Sequence, residues 1–181
     1  MHHIKSPPIS QGWRPASFVH ISRWRLDCSA SDAWGLLTNL AGWPQWWPQL
    51  SQVRILKKGT HTGLGAQADM HWVSPLGYRL KVHLLTTRCE RDADGHGEIE
   101  AQVRGDVHGM GLWVIEPVSA QQVDITYRWE VMLHKPWMRL LAPLLRGVFS
   151  WNHFTVMQAG AKGMARQLTP LASRPGQPRR G

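Results

Sequence analysis

The sequence lacks most of the features that would show where a protein is located or whether it contains disulfide bonds. Its 181 residues include two cysteines, Cys28 and Cys89, which are far apart and form no CxxC pair. This pattern predicts reduced thiols. No apolar run reaches the roughly 20 residues of a membrane span. The first 17 residues lack the apolar core of a signal peptide, so we expect a cytoplasmic protein.

Motifs of nucleophilic, metal-dependent and nucleotide-dependent enzymes are also missing. The sequence has no GxSxG, HExxH or GxGxxG, and its ten histidines show no metal-ligand spacing. We therefore expect no metal and no cofactor. Nucleic acid is not an expected partner either, because no Lys/Arg-rich block or nucleic-acid-binding motif is present.

Acidic residues are scarce relative to basic ones, 12 against 21, which gives a formal net charge of +9. Three of the arginines lie in a Pro/Gly-rich end that predicts a disordered basic tail over 169–181. Prolines near the start predict a flexible arm over 1–17, and 18–168 is expected to form one domain. The remaining charge has two open interpretations: a solvated basic surface, or weak attraction to an anionic membrane surface.

Tryptophan, by contrast, is abundant, at eleven residues. Indole rings supply large, rigid apolar walls, each with one polar N–H. They suit a packed core or the lining of a pocket for a flat or apolar ligand, and composition does not choose between the two.

Alternating apolar and polar residues predict seven strands joined by turns, followed by a long helix, which indicates an α+β fold. After the first strand, a helix is expected to begin at Ser29, and Pro44 is expected to open a short second helix that Pro48 ends. The strand faces predict a curved sheet with one apolar concave side. The strands are expected at 18–27, 51–57, 64–73, 78–87, 98–104, from the bend at 105–109 to 117, and at 121–133.

The segment 136–168 is expected to form one amphipathic helix that lies in the concavity of the sheet. Pro143 is expected to kink or restart this helix. At about 100° per residue, an inward stripe runs through Leu145, Val148 and Val156. Gly163 continues that stripe, where the missing side chain would permit a close backbone approach.

Two polar residues lie on or beside the inward stripe. A buried Asn152 without a partner would cost about 1–3 kcal/mol, so it is expected either to bond a backbone group or a buried water, or to face a cavity and meet a ligand. His153 lies one step off the stripe, which favours a boundary position over a ligand contact or a proton-transfer role.

Several short motifs follow one another in order along residues 18–168. They are AWGLL at 33–37, WPQWWP at 43–48, GDVHG at 105–109 before Trp113, TYRW at 126–129, KPW at 135–137, and WNH at 151–153 ahead of Met157.

With these motifs, the order of one strand, two short helices, six strands and a long helix resembles the START-like, or helix-grip, superfamily, and within it the polyketide cyclase/dehydrase-like branch of SRPBCC proteins. The resemblance implies a curved antiparallel sheet of about seven strands wrapped around the C-terminal helix, with a deep apolar cavity between them. Relatives bind lipids, sterols, quinones, plant hormones or polyketides, and only some catalyse, so the fold leaves the activity open.

The expected partner is thus a hydrophobic small molecule, either carried or, as the alternative, cyclised or dehydrated as a polyketide-like substrate. Catalysis would need groups that polarise a carbonyl and move a proton. The candidates are Tyr78, Asp106, His108, Asn152 and His153, with Tyr78 and Asn152 best placed and a solvent-exposed turn preferred for Asp106 and His108. The residues expected to contact the ligand are Trp47, Met70, Trp72, Tyr78, Leu80, Tyr127, Trp129, Leu145, Val148, Phe149, Asn152 and Val156.

Overall fold

The computed structural model describes the backbone of residues 17–133 and 136–168, and the side chains of residues 18–132 and 147–168. Seven strands in this part of the chain form one antiparallel sheet in the order β1-β7-β6-β5-β4-β3-β2. Successive hairpins carry the chain from β2 to β7, and β7 pairs with β1. The strands are β1 (Ser17–Leu26), β2 (Leu50–Lys57), β3 (Gln67–Val73), β4 (Arg79–Arg91), β5 (Gly97–Gly105), β6 (Val107–Ser119) and β7 (Gln122–Leu133).

The strand faces follow the predicted alternation. On β5, for example, Ile99, Ala101 and Val103 are buried while Gln102 and Arg104 are exposed. This alternation places one apolar face of the curved sheet toward the interior. The α+β prediction with seven strands is confirmed.

The strand boundaries differ from the predicted ones by up to four residues, and β3 and β4 show two of the larger differences. β3 begins at Gln67 rather than at residue 64, because Gly63 and Gly65 adopt positive φ angles that end extended structure. β4 continues to Arg91, four residues beyond the predicted end, through a register shift between Thr86 and Arg88. A bulge of this kind lets a strand continue past an irregular stretch.

Two short helices separate β1 from β2. The first, α1 (Ala30–Thr38), begins after Ser29, whose Oγ accepts a hydrogen bond of 3.1 Å from the Asp32 amide. A 3-10 turn over Leu40–Gly42 leads into α2 (Trp43–Trp46). The capped start predicted from Ser29 is confirmed, and so is the short second helix that contains Pro44.

The final helix, α3, runs unbroken over Pro136–Leu168. Of the two outcomes predicted for Pro143, the restart is therefore wrong, and the kink stays a prediction. Proline removes one hydrogen-bond donor and crowds the preceding turn, and a long helix can absorb that local loss without ending.

The buried side of α3 is rotated relative to the predicted stripe. Val148, expected to face inward, is 38% exposed, whereas its neighbour Phe149 is buried. Contacts with β1 set this rotation, because the Phe149 ring meets Phe18 edge-on at 6.2 Å. Over residues 147–168, the part of the helix whose side chains are described, the buried residues are Phe149, Asn152, Met157, Gly160 and Met164.

The predicted arm, apart from Ser17, and the predicted basic tail lie outside the described residues, so both remain predictions. Within the described ranges, none of the helices combines the length and the hydropathy that crossing a bilayer requires.

Candidate functional site

A cavity of about 200 Å³ lies between the inner face of the sheet and α3. It is larger than the engineered apolar cavity of about 150 Å³ that accommodates benzene. Its described lining residues are mainly aliphatic and aromatic, and none of them is Asp, Glu, Lys or Arg. The space therefore offers an apolar guest contact area without a charged partner.

Aromatic rings form one wall of the cavity. The Trp47 ring lies edge-on to Trp72 at 5.0 Å, and Trp113 stacks on Tyr127 at 4.0 Å between ring centroids. Burial raises the pKa of the Tyr127 phenol, which keeps it neutral. Trp24 is buried but does not line the cavity. The abundant tryptophans thus serve both roles that composition left open, in the core and in the cavity wall.

Three polar side chains from two elements meet at another part of the wall. Ser74 Oγ donates to Asn152 Oδ1 at 2.5 Å, and Asn152 Nδ2 donates to the Tyr78 hydroxyl at 2.9 Å. Tyr78 is also hydrogen-bonded to Ser74, so the three groups form a closed ring. Burial raises the pKa of Tyr78, and its phenol is neutral.

These three hydrogen bonds show which groups pair with the Asn152 amide. Its partners are side chains of the turn between β3 and β4, rather than the backbone group or buried water considered above. Asn152 also lines the cavity, and its amide nitrogen carries a second N–H. Ser74 was not a predicted site residue, because its sequence position shows only a turn.

A stacked pair of histidines lies at the β1 side of the cavity. The rings of His20 and His153 are 4.4 Å apart with an interplanar angle of 20°, and both line the cavity. His153 is half-buried, as expected of a boundary residue. Its Nε2 atom is buried without a hydrogen-bond partner in the described part of the chain.

Burial keeps both rings neutral. It lowers the pKa of His153 to about 3, with the neighbouring His20 as a secondary cause, and it also lowers the pKa of His20. His20 was missed in the sequence, although the period-2 pattern Phe18, His20, Ser22, Trp24 could have placed it on the inner face of β1.

Two of the twelve predicted contact residues are not placed at the cavity. The side chain of Leu145 lies outside the described residues, and Val148 is exposed and does not line the cavity, so that prediction is wrong. Whether the others bind a ligand stays a prediction. The ten that line the cavity are Trp47, Met70, Trp72, Tyr78, Leu80, Tyr127, Trp129, Phe149, Asn152 and Val156.

Asp106 and His108 do not line the cavity. The Asp106 carboxylate accepts a hydrogen bond of 2.8 Å from the Lys81 amide, and the Asp106 amide donates to the Lys81 carbonyl at 3.0 Å. Asp106 thus ties the bend between β5 and β6 to the neighbouring strand β4, in agreement with the turn interpretation. The same prediction is wrong for His108, which lies within β6 opposite Met132 and is half-buried. No three His, Cys, Asp or Glu side chains among the described residues are grouped in a way that would hold a metal ion.

The sequence over residues 26–159 matches the family described as polyketide cyclase/dehydrase and lipid transport. This match confirms the resemblance to the polyketide cyclase-like branch of the START-like superfamily. No curated protein sequence matches the chain.

Solved structures with the same fold confirm the helix-grip architecture. The Zhui aromatase/cyclase from Streptomyces sp. R1128 has a TM-score of 0.66 at 15% identity, over 87% of this chain and 98% of its own. A START superfamily protein from Mycobacterium smegmatis has a TM-score of 0.63 at 14% identity, over 83% and 96%. Norcoclaurine synthase from Thalictrum flavum has a TM-score of 0.57 at 16% identity, over 90% and 97%. Identities this low establish the fold alone.

Proposed function

Because this chain belongs to the polyketide cyclase/dehydrase and lipid transport family, we propose that it binds an uncharged hydrophobic small molecule in the cavity between the sheet and α3. The observation that carries the proposal is the lining of that cavity. Its described residues supply apolar and aromatic surface and a few neutral polar groups, and they include no charged side chain.

Because the described lining carries no charged side chain, it favours neutral hydrophobic ligands over ionised ones. A carboxylate placed there would lose its hydration without gaining a cationic partner, at a cost of several kcal/mol. A hydroxyl or carbonyl group could instead meet the spare N–H of Asn152 or the unpartnered Nε2 of His153. The ligand is thus an alcohol, phenol, ketone or quinone rather than a free fatty acid.

The aromatic wall favours a flat ligand. The rings of Trp47, Trp72, Trp113 and Tyr127 present both faces and edges, and such arrangements suit stacked or edge-on packing of another ring. The cavity volume of about 200 Å³ suits a guest somewhat larger than benzene.

The test compares ligands that share a carbon skeleton and differ in charge. Purified protein is first extracted with organic solvent to identify any bound compound. It is then titrated by calorimetry with 2-naphthol against 2-naphthoate, and with 1-octanol against octanoate. We expect each neutral compound to bind at least about tenfold more tightly than its carboxylate. Equal or tighter binding of the carboxylates, or no binding in either series, would refute the proposal.

A second candidate function is cyclisation or dehydration of a polyketide-like substrate in the same cavity. The hydrogen-bonded ring of Ser74, Tyr78 and Asn152 favours it, because it holds the Asn152 amide at the cavity wall, where the second N–H of that amide can stabilise charge that develops on a carbonyl oxygen. His153, with its pKa lowered to about 3, is a poor general base near neutral pH.

The two functions differ in the effect of Tyr78→Phe. An enzyme should convert a poly-β-ketone thioester, and the variant should abolish turnover while naphthol binding persists. A carrier should show no turnover with any substrate of this class, while binding in the neutral series remains.

A further inference from the structure

Within residues 147–168, where the side chains of α3 are described, the side that faces away from the sheet carries three large apolar side chains. Val148, Trp151 and Phe154 are 38%, 53% and 60% exposed, and they follow one another at three-residue intervals. Scattered exposed apolar residues are ordinary, but a contiguous group of bulky ones marks an interaction surface.

Basic residues continue the same side toward the end of the helix. At about 100° per residue, Lys162 falls close to the angular position of Trp151, and Arg166 falls at that of Val148. Both basic side chains are exposed. The 33 residues of α3 include no Asp or Glu. We call Val148, Trp151, Phe154, Lys162 and Arg166 together the interfacial face.

A helix with bulky apolar and basic residues on one side is suited to the boundary between water and an anionic membrane. We propose that the interfacial face binds the surface of an anionic phospholipid bilayer. The aromatic rings enter the headgroup region, where an amphipathic indole is favourably placed. Lys162 and Arg166 are attracted to lipid phosphates, and salt screens this attraction.

The interfacial face lies directly behind the cavity wall. Asn152 and His153, which line the cavity, stand between Trp151 and Phe154 in the same turn of α3. Docking would therefore place the cavity one helix thickness from the lipid. The inference concerns the outer surface and does not depend on what the cavity holds.

Vesicle flotation tests the proposal with the full chain. Vesicles of equimolar phosphatidylcholine and phosphatidylglycerol should carry the protein upward, vesicles of phosphatidylcholine alone should not, and added NaCl should weaken the binding. The double variant Trp151→Ala/Phe154→Ala should lower the partition coefficient at least about tenfold. The double variant Lys162→Gln/Arg166→Gln should also lower it about tenfold.

A matched control removes exposed apolar side chains elsewhere. Val19 and Ile21 are 56% and 51% exposed on the outer face of β1, and Val19→Ala/Ile21→Ala should leave the partition coefficient unchanged. Circular dichroism checks that each variant is folded.

Three results would overturn the proposal. The first is equal flotation with neutral and anionic vesicles, or none with either. The second is binding that only glutamine substitution of Arg174, Arg179 and Arg180 abolishes, which would assign it to the C-terminal arginines. The third is self-association by light scattering that the Trp151→Ala/Phe154→Ala variant removes, without vesicle binding, which would make a second copy of the chain the partner.

Discussion

The indole Nε1 of Trp47 donates a hydrogen bond of 3.0 Å to the backbone carbonyl of Val156. This bond joins the end of α2 to the middle of α3 across 109 residues of sequence. It fixes an aromatic cavity wall against the helix that closes the cavity. Gly160 makes the approach possible, because a Cβ at that position would lie 2.6 Å from the indole ring.

The glycines of α3 should therefore differ sharply in their response to alanine. A Cβ at Gly163 would lie 1.6 Å from the backbone oxygen of Trp46, in agreement with the close approach predicted from the sequence. Gly163→Ala should lower the free energy of unfolding by about 2–3 kcal/mol or more, and Gly160→Ala by about 1–3 kcal/mol. Urea denaturation measures both.

Gly147 provides the matched control for these two substitutions. It lies in the same helix, and a Cβ there would meet no atom within 4 Å. Gly147→Ala should leave stability unchanged or raise it by up to about 1 kcal/mol, because alanine is the better helix former. Equal destabilisation by all three substitutions would contradict the packing described here.

The ring of Ser74, Tyr78 and Asn152 should behave as a coupled unit. Ser74→Ala and Asn152→Ala should each lower the free energy of unfolding by about 1–3 kcal/mol, since each leaves a buried partner unsatisfied. The double variant should cost less than the sum, with a coupling energy of about 0.5–3 kcal/mol in the double-mutant cycle. Additive effects would show that the two side chains are not paired in solution.

The stacked histidine pair should make the protein sensitive to acid. The pKa of His153 is lowered from 6.5 to about 3 in the folded state, so between these pH values the unfolded chain binds more protons than the folded one. Stability from this group is complete above about pH 6.5 and falls as the pH decreases toward 3, by at most about 1.4 kcal/mol per pH unit. The lowered pKa of His20 acts in the same direction.

His153→Phe keeps an aromatic ring against His20 and removes the titrating group. Its free energy of unfolding, measured in urea between pH 7 and pH 4, should fall less steeply than that of the wild type. An unchanged slope would show that His153 is protonated as readily in the folded protein as in the unfolded chain.

Leucine substitutions at two alanines on the inner face of the sheet should distinguish an empty cavity from a packed core. Ala101 lines the cavity, whereas Ala68 is fully buried and does not line it. Ala101→Leu should fill part of the cavity with little loss of stability and should weaken naphthol binding. Ala68→Leu should overpack the core and cost about 1–3 kcal/mol. Thermal unfolding and calorimetric titration of both variants check the contrast, which would disappear if the cavity were filled in solution.

Much of the candidate site could be predicted because β-strand side chains alternate between two faces. Met70, Trp72, Tyr78 and Leu80 line the cavity as expected from that alternation. Only two of the three residues in the hydrogen-bonded ring of Ser74, Tyr78 and Asn152 could be predicted. Tyr78 and Asn152 stood out as polar residues on apolar faces, but Ser74 pairs with Asn152 from 78 positions away, and no local pattern reports such a contact.

The sequence alone determined the order of the elements, the inner faces of β3, β4, β5 and β7, and the start of α1, because these depend on local alternation and on a cap within one turn. Only the tertiary structure decided which side of α3 faces inward. Apolar residues occur almost all the way round this helix, so its own pattern cannot select between Val148 and Phe149. Contacts with β1 set the orientation of the helix, because Phe18 packs against Phe149 and His20 stacks on His153. This orientation leaves Trp151 and Phe154 exposed to solvent.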